Sequence, residues 1–91
     1  MPAYWIGEHD IKDAAAFADY LRQATPLIAR FGGRYLTRPD SPDVLEGDWH
    51  PTRVAVIAFP DMAALRSPEY QPLIALRRTA ASDIIIAVDG V

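Results

Sequence analysis

The sequence predicts an α+β fold, a ferredoxin-like βαββαβ sandwich in which two helices pack on an antiparallel four-stranded sheet. Two observations indicate this class: segments with helical spacing alternate with short apolar segments, and their order is strand, helix, strand, strand, helix, strand. The chain has 91 residues, of which 51% are hydrophobic and 23% charged. That length and composition are typical of a single globular domain spanning residues 1–91.

Four segments are rich in the β-branched and aromatic residues that favour strands. They are residues 2–11, 34–38, 52–59 and 83–88. A shorter segment at 44–46 is a further candidate strand. Turn-forming residues at 39–43 and at 47–51 separate these segments and predict a long loop between the second and third strands.

The first helix is predicted between Asp13 and Gly32. Asp13 is a good N-cap residue, and apolar residues recur at three- and four-residue steps from Phe17 onward. Gly32 tolerates the left-handed conformation that closes many helices. Pro26 lacks an N–H donor, so we expect a kink or a restart there.

The second helical region is predicted in two parts. Asp61 caps a short helical turn over 62–66, and Ser67 with Pro68 then provides a new cap and a first-turn proline. Pro72 leaves open whether the regular helix begins only at that residue.

Both faces of the sheet are predicted to be apolar. Residues 54–59 and 84–88 are apolar at consecutive positions, and consecutive strand residues point to opposite faces. Two helices cover only one face, and an exposed apolar face of that size is unusual in a monomer. We therefore expect a homodimer that packs sheet to sheet. The alternative is that residues 39–49 fold over the second face.

Composition excludes several classes of function. The net charge of -3 argues against a nucleic-acid or membrane-surface partner, and the absence of cysteine excludes disulfides, thiolate metal sites and a cysteine nucleophile. No signal peptide or membrane span is apparent, so a cytoplasmic protein is expected. No phosphate loop, nucleophile elbow or dinucleotide fingerprint occurs, and no cofactor or metal site is predicted.

The two histidines are candidates for acid–base chemistry because their ordinary pKa lies near neutrality. His9 lies between Glu8 and Asp10 on a strand, where neighbours alternate faces, so the three side chains cannot converge on one ion. We interpret His9 as a partly exposed residue at a strand end. His50 lies in a turn, where side chains can converge, and is the candidate proton-transfer residue. The alternative is a loop histidine that serves turn geometry.

Aromatic and charged residues suggest a small-molecule pocket. Glu46 and Trp49 flank a flexible glycine and combine a carboxylate with a flat apolar wall. The same two residues would equally suit a dimer interface, with Trp49 as its anchor.

Tyr70 and Arg77 project from one helix face and could orient a carboxylate or an enolate. The alternative is that Tyr70 packs in the core and Arg77 pairs with Glu46 or Asp89. Tyr35 is a further candidate ligand contact.

Five spaced segments of the sequence carry a family resemblance, namely residues 32–36, 45–49, 67–71, 76–78 and 89–91. With them, essentially the whole chain resembles the domain-of-unknown-function-1330 family, small bacterial proteins of the dimeric α/β-barrel superfamily. The resemblance implies a ferredoxin-like subunit and a sheet-to-sheet dimer, and no established activity. Family members usually carry a longer helical stretch, often with a Trp-Tyr pair, where this chain has only residues 61–66.

Three functions are compatible with these patterns. The first is a homodimer that binds a small, partly apolar metabolite between sheet and helices, with Tyr35, Trp49 and Tyr70 as walls. The second is a cofactor-free oxygenase or isomerase for an aromatic or enolisable substrate, in which His50 moves the proton and Arg77 stabilises the oxyanion. The third is a purely structural dimer.

Overall fold

The computed structural model describes all residues, 1–91. Its elements are β1 (Ala3–Ile11), α1 (Ala14–Arg30), β2 (Arg34–Tyr35), β3 (Val54–Phe59), α2 (Met62–Leu65), α3 (Gln71–Ala80) and β4 (Ala81–Asp89), with a 3-10 turn at Pro68–Tyr70. The strands form one sheet in the order β2-β3-β1-β4, and every neighbouring pair is antiparallel. The predicted α+β, ferredoxin-like sandwich is confirmed.

The edge strand β2 is shorter than the predicted strand 34–38. Beyond Tyr35, the amide of Leu36 still donates to Val56 at 2.9 Å, but Pro39 has no N–H with which to continue the ladder. The predicted strand at 44–46 is wrong, because residues 42–51 form an exposed loop without strand pairing. The base of this loop is closed by a bridge between Asp40 and Arg53.

Helix α1 has the predicted cap and end. The Asp13 side chain accepts from the amide of Ala16 at 3.0 Å, and Gly32 has a φ of 77°, which favours glycine. Pro26 does not cause the expected restart, since α1 runs continuously to Arg30. Its ring is exposed, so it displaces no packed side chain.

The second helical region follows the prediction closely. Asp61 caps α2 by accepting from the amide of Ala64 at 2.8 Å, and the Ser67 hydroxyl accepts from Glu69 at 3.4 Å. After the 3-10 turn, α3 begins one residue before Pro72. Proline is tolerated there because the first helical turn lacks intrahelical acceptors.

The sheet has one covered face and one open face. Helices α1 and α3 pack together over the covered face, around a core that includes Phe17, Tyr20 and Ala80. On the opposite face, which we call the open face, β4 presents Ile84 and Ile86 with exposed fractions of 70% and 53%. Only 14 of 91 residues are buried, so the single chain has a thin core.

Candidate functional site

A cleft opens between the covered face of the sheet, helix α1 and the short helix α2. The cleft is narrow, and the roughly 560 Å³ of empty space around its walls includes open solvent. Its walls are mostly hydrophobic and consist of Trp5, His9, Tyr20, Leu21, Leu27, Ile28, Phe31, Tyr35, Arg53, Ile57, Phe59, Ala64, Leu65, Ser67 and Tyr70. An apolar cleft with a few polar groups is the usual form of a small-molecule site.

Strand β1 contributes the floor of the cleft through alternate residues. Trp5, Gly7 and His9 share the covered face because side chains alternate along a strand. The Trp5 indole lies against Gly7, where an added Cβ would be 2.4 Å from the ring. Gly7 thus leaves space for an indole whose centroid is 5.7 Å from that of His9.

Five polar side chains form a hydrogen-bonded network along the cleft. His9 Nδ1 contacts Asp83 Oδ1 at 2.5 Å, and the other oxygen of Asp83 accepts from Arg77 Nε at 3.0 Å. Arg77 Nη1 donates to the Tyr70 hydroxyl at 2.9 Å, and that hydroxyl is hydrogen-bonded to Tyr20. A single buried carboxylate therefore holds a histidine on one side and an arginine on the other.

The sheet register creates the centre of this network. His9 in β1 lies directly opposite Asp83 in β4. Arg77 reaches the same carboxylate because α3 leads directly into β4, six residues before Asp83. The side chains of all three residues are more than nine-tenths buried.

His9 is held as a neutral imidazole with one nitrogen available. Burial lowers the pKa of His9 below 6.5, and the hydrogen bond that His9 donates to Asp83, which raises the pKa, does not outweigh burial. With Nδ1–H donating to the carboxylate, the lone pair is on Nε2. Nε2 has no partner within the protein, and the ring lines the cleft.

The two tyrosine hydroxyls supply one further donor. Burial, together with the neighbouring Tyr70, raises the pKa of Tyr20, so its hydroxyl stays protonated. The contact between Tyr20 and Tyr70 uses only one of their two O–H groups. The remaining O–H has no acceptor within the protein.

Arg53 brings a positive charge to the cleft. Its side chain is 11% exposed, and its guanidinium lies 5.3 Å from the centre of the Phe17 ring. Its nearest carboxylate is the exposed Asp40, at 3.4 Å from Nη1. Arg53 Nε is buried and has no hydrogen-bond partner.

The structure divides the residues singled out from the sequence into two groups. Tyr35 and Tyr70 line the cleft, and Arg77 lies behind Tyr70. Glu46, Trp49 and His50 lie in the exposed loop, outside the cleft.

Within that loop, the Trp49 indole donates to Glu8 at 2.8 Å, and His50 contacts Asp48 at 3.0 Å. Glu8 lies on the open face of the sheet. Trp49 therefore approaches the face opposite the cleft.

Two interpretations from the sequence are corrected. His9 is not partly exposed, because Phe17 covers its ring and only 3% remains exposed. Arg77 pairs with Asp83 rather than with Glu46 or Asp89. Sequence reasoning missed Asp83 and Arg53, and the pairing register of β1 with β4 is the signal that would have linked His9 to Asp83.

No group of three or more His, Asp or Glu side chains is arranged to hold a metal ion. None of the helices has both the length and the apolar character needed to cross a bilayer.

Comparison with known families gives a match over nearly the whole chain. The model of the domain of unknown function DUF1330 matches residues 2–91. This protein belongs to the DUF1330 family. A search of curated proteins found no significant relative.

Solved structures similar to this DUF1330 protein share its fold. RPA0582 from Rhodopseudomonas palustris, a protein of unknown function, is 23% identical with a TM-score of 0.77, over 99% of this chain and 82% of that one. A dimeric ferredoxin-like protein of unknown function from Jannaschia sp. CCS1 is 12% identical with a TM-score of 0.63, over 99% of this chain and 100% of that one. SnoaB, a cofactor-independent oxygenase from Streptomyces nogalater, is 16% identical with a TM-score of 0.64, over 98% of this chain and 92% of that one.

Proposed function

We propose that this DUF1330 protein is a homodimer in which each subunit binds a small, flat, partly apolar molecule in the cleft. The observation that carries the proposal is the cleft itself, because its mostly hydrophobic lining includes His9, whose Nε2 is unpaired, and two tyrosines that share one unpaired O–H. Apolar walls provide affinity, and a few fixed polar groups orient the ligand. Tyr35 and Tyr70 contact the ligand in this proposal, and Arg77 positions Tyr70.

The proposed dimer forms through the open face. Ile84, Ile86 and Val88 are exposed side by side on β4, and the thin core of one chain favours further burial. The dimeric ferredoxin-like protein from Jannaschia provides a precedent with the same fold. Trp49, hydrogen-bonded to Glu8 at the margin of this face, serves as an interface residue.

A binding screen that reports from Trp5 tests the cleft directly. The W49F variant keeps an aromatic ring at the proposed interface and leaves Trp5, which lines the cleft, as the sole tryptophan. Small aromatic acids, ketones and phenols are then titrated while Trp5 fluorescence is recorded. We expect saturable changes with at least one class.

Two phenylalanine substitutions on α2 provide the matched pair for this screen. Ala64 lines the cleft and Ala63 is exposed, so A64F fills the cleft whereas A63F projects into solvent. A64F should abolish binding and A63F should preserve it. Equal binding by both variants, or no binding by the parent, would refute the proposed function.

The second candidate function is proton transfer by His9 on an enolisable ligand. It is favoured by one observation: Asp83 holds Nδ1 while the Nε2 lone pair stays unpaired at the cleft. In this arrangement Nε2 removes a proton from a C–H next to a carbonyl, and the electron pair of that bond moves into the enolate. The fold of a cofactor-independent oxygenase is compatible with such chemistry, although fold alone does not assign it.

Deuterium exchange tests this second function without further co-substrates. Phenylpyruvate is incubated with the protein in D₂O, and loss of its methylene proton signal is followed by NMR. We expect exchange to be faster with the protein than in buffer. H9N should lose this acceleration, and H50N should retain it. Exchange at the buffer rate with bound phenylpyruvate would reject proton transfer and leave the binding function standing.

A further inference from the structure

The charges around the cleft indicate which class of molecule it binds. Asp83 is the only carboxylate in the network beside the cleft, and Arg77 pairs with it. His9 is neutral near pH 7 because burial lowers its pKa. The cleft lining itself contains no aspartate or glutamate, whereas Arg53 contributes a permanent positive charge.

Arg53 is poorly compensated within the protein. Its contact with Asp40 is long, at 3.4 Å, and Asp40 is 81% exposed, so water screens that carboxylate. The buried Nε has no acceptor at all. Buried side-chain donors are normally paired, and the protein provides no such partner for this one.

From this charge balance we infer that the ligand is an anion, an aromatic or similarly flat carboxylate or enolate, and that Arg53 recognises its negative group. Arginine suits this role because its guanidinium presents several donors in one plane to a carboxylate. The inference rests on the proposed binding function and names its ligand class. Arg53 is thus the specificity-determining residue, whereas the hydrophobic walls accept the ring.

Benzoate and benzamide form the decisive pair of probes, because they have nearly the same shape and differ in charge. Each is titrated into the W49F protein at pH 7 and at fixed ionic strength, with Trp5 fluorescence as the readout. We expect benzoate to bind at least about tenfold more tightly than benzamide, and R53Q to remove this preference. R53K, which keeps the charge and loses the planar fork, should retain part of it.

A substitution outside the cleft tests the role of Arg53 without changing Arg53 itself, so the test does not depend on the Arg53 variants folding. D40N removes the exposed carboxylate that competes for Arg53, so we expect benzoate affinity to rise severalfold with benzamide affinity unchanged. D43N, three residues further along in the exposed loop, should change neither affinity. Equal affinity for benzoate and benzamide, or no effect of D40N, would overturn the anion assignment while leaving the cleft as a binding site. Binding of neither probe would overturn the anion assignment, and the wider screen with ketones and phenols would then decide the binding function.

Discussion

The buried carboxylate of Asp83 offers the sharpest test of how the site is built. In D83N the side chain keeps its shape but loses its charge and one of its two acceptors. Its remaining oxygen can accept from either His9 or Arg77, and its new amide faces the other donor. Arg77 is left as a charge that is 8% exposed and has no counter-ion.

Breaking a buried ion pair by removing one partner costs about 3–5 kcal/mol. A chain of this length has a total stability of roughly 5–14 kcal/mol, so D83N removes a large share of it. In urea, where small proteins have slopes of about 1–3 kcal/mol per molar, the unfolding midpoint should fall by on the order of 2 M.

The control is D19N, which makes the same chemical change in the exposed pair of Asp19 with Arg22 on α1. Exposed pairs contribute about 0.2–1 kcal/mol, so its midpoint should barely move. Unfolding is followed by circular dichroism at one fixed protein concentration, since the stability of the proposed dimer depends on concentration. If D83N and D19N unfold within about 1 kcal/mol of each other, the buried network does not stabilise the fold as argued.

Three further predictions concern pH, the tyrosine pair and the open face. Because the pKa of His9 is lowered in the folded state, the unfolded chain binds more protons than the folded one just below pH 6.5. The free energy of unfolding should therefore be highest above pH 6.5 and fall as the pH is lowered below it. In urea titrations at several pH values, H9N should reduce this pH dependence and H50N should not. Y70F leaves Arg77 Nη1 and the Tyr20 hydroxyl unpaired and should cost about 1–3 kcal/mol in thermal unfolding, whereas Y35F should cost little; equal effects would contradict this. I86D should convert the proposed dimer to a monomer in sedimentation velocity, and an intact dimer would reject the open face as the interface.

The fold was predictable because its signals are local. Asp13, Gly32 and Asp61 mark helix ends by their own hydrogen bonding and backbone conformation, so the sequence alone locates them. The apolar runs in β3 and β4 likewise predict a sheet that is apolar on both faces. The exposed Ile84 and Ile86 of the structure agree with that pattern.

The site was harder to predict because its contacts join distant parts of the chain. His9 and Asp83 are 74 residues apart, and only the register of β1 against β4 brings them together. Tyr20 and Tyr70 meet because α1 packs against the region that precedes α3. Trp49 and His50 were predicted as site residues from their residue types, but the exposed loop that carries them does not line the cleft.

Native mass spectrometry of the protein incubated with benzoate measures subunit number and ligand number in one spectrum, and so tests the binding dimer most directly. We predict a dimer that takes up two benzoate molecules and loses them on denaturation, and an A64F dimer that takes up none. A monomer would contradict the role of the open face. An A64F dimer that binds two molecules as the parent does would contradict the cleft as the site.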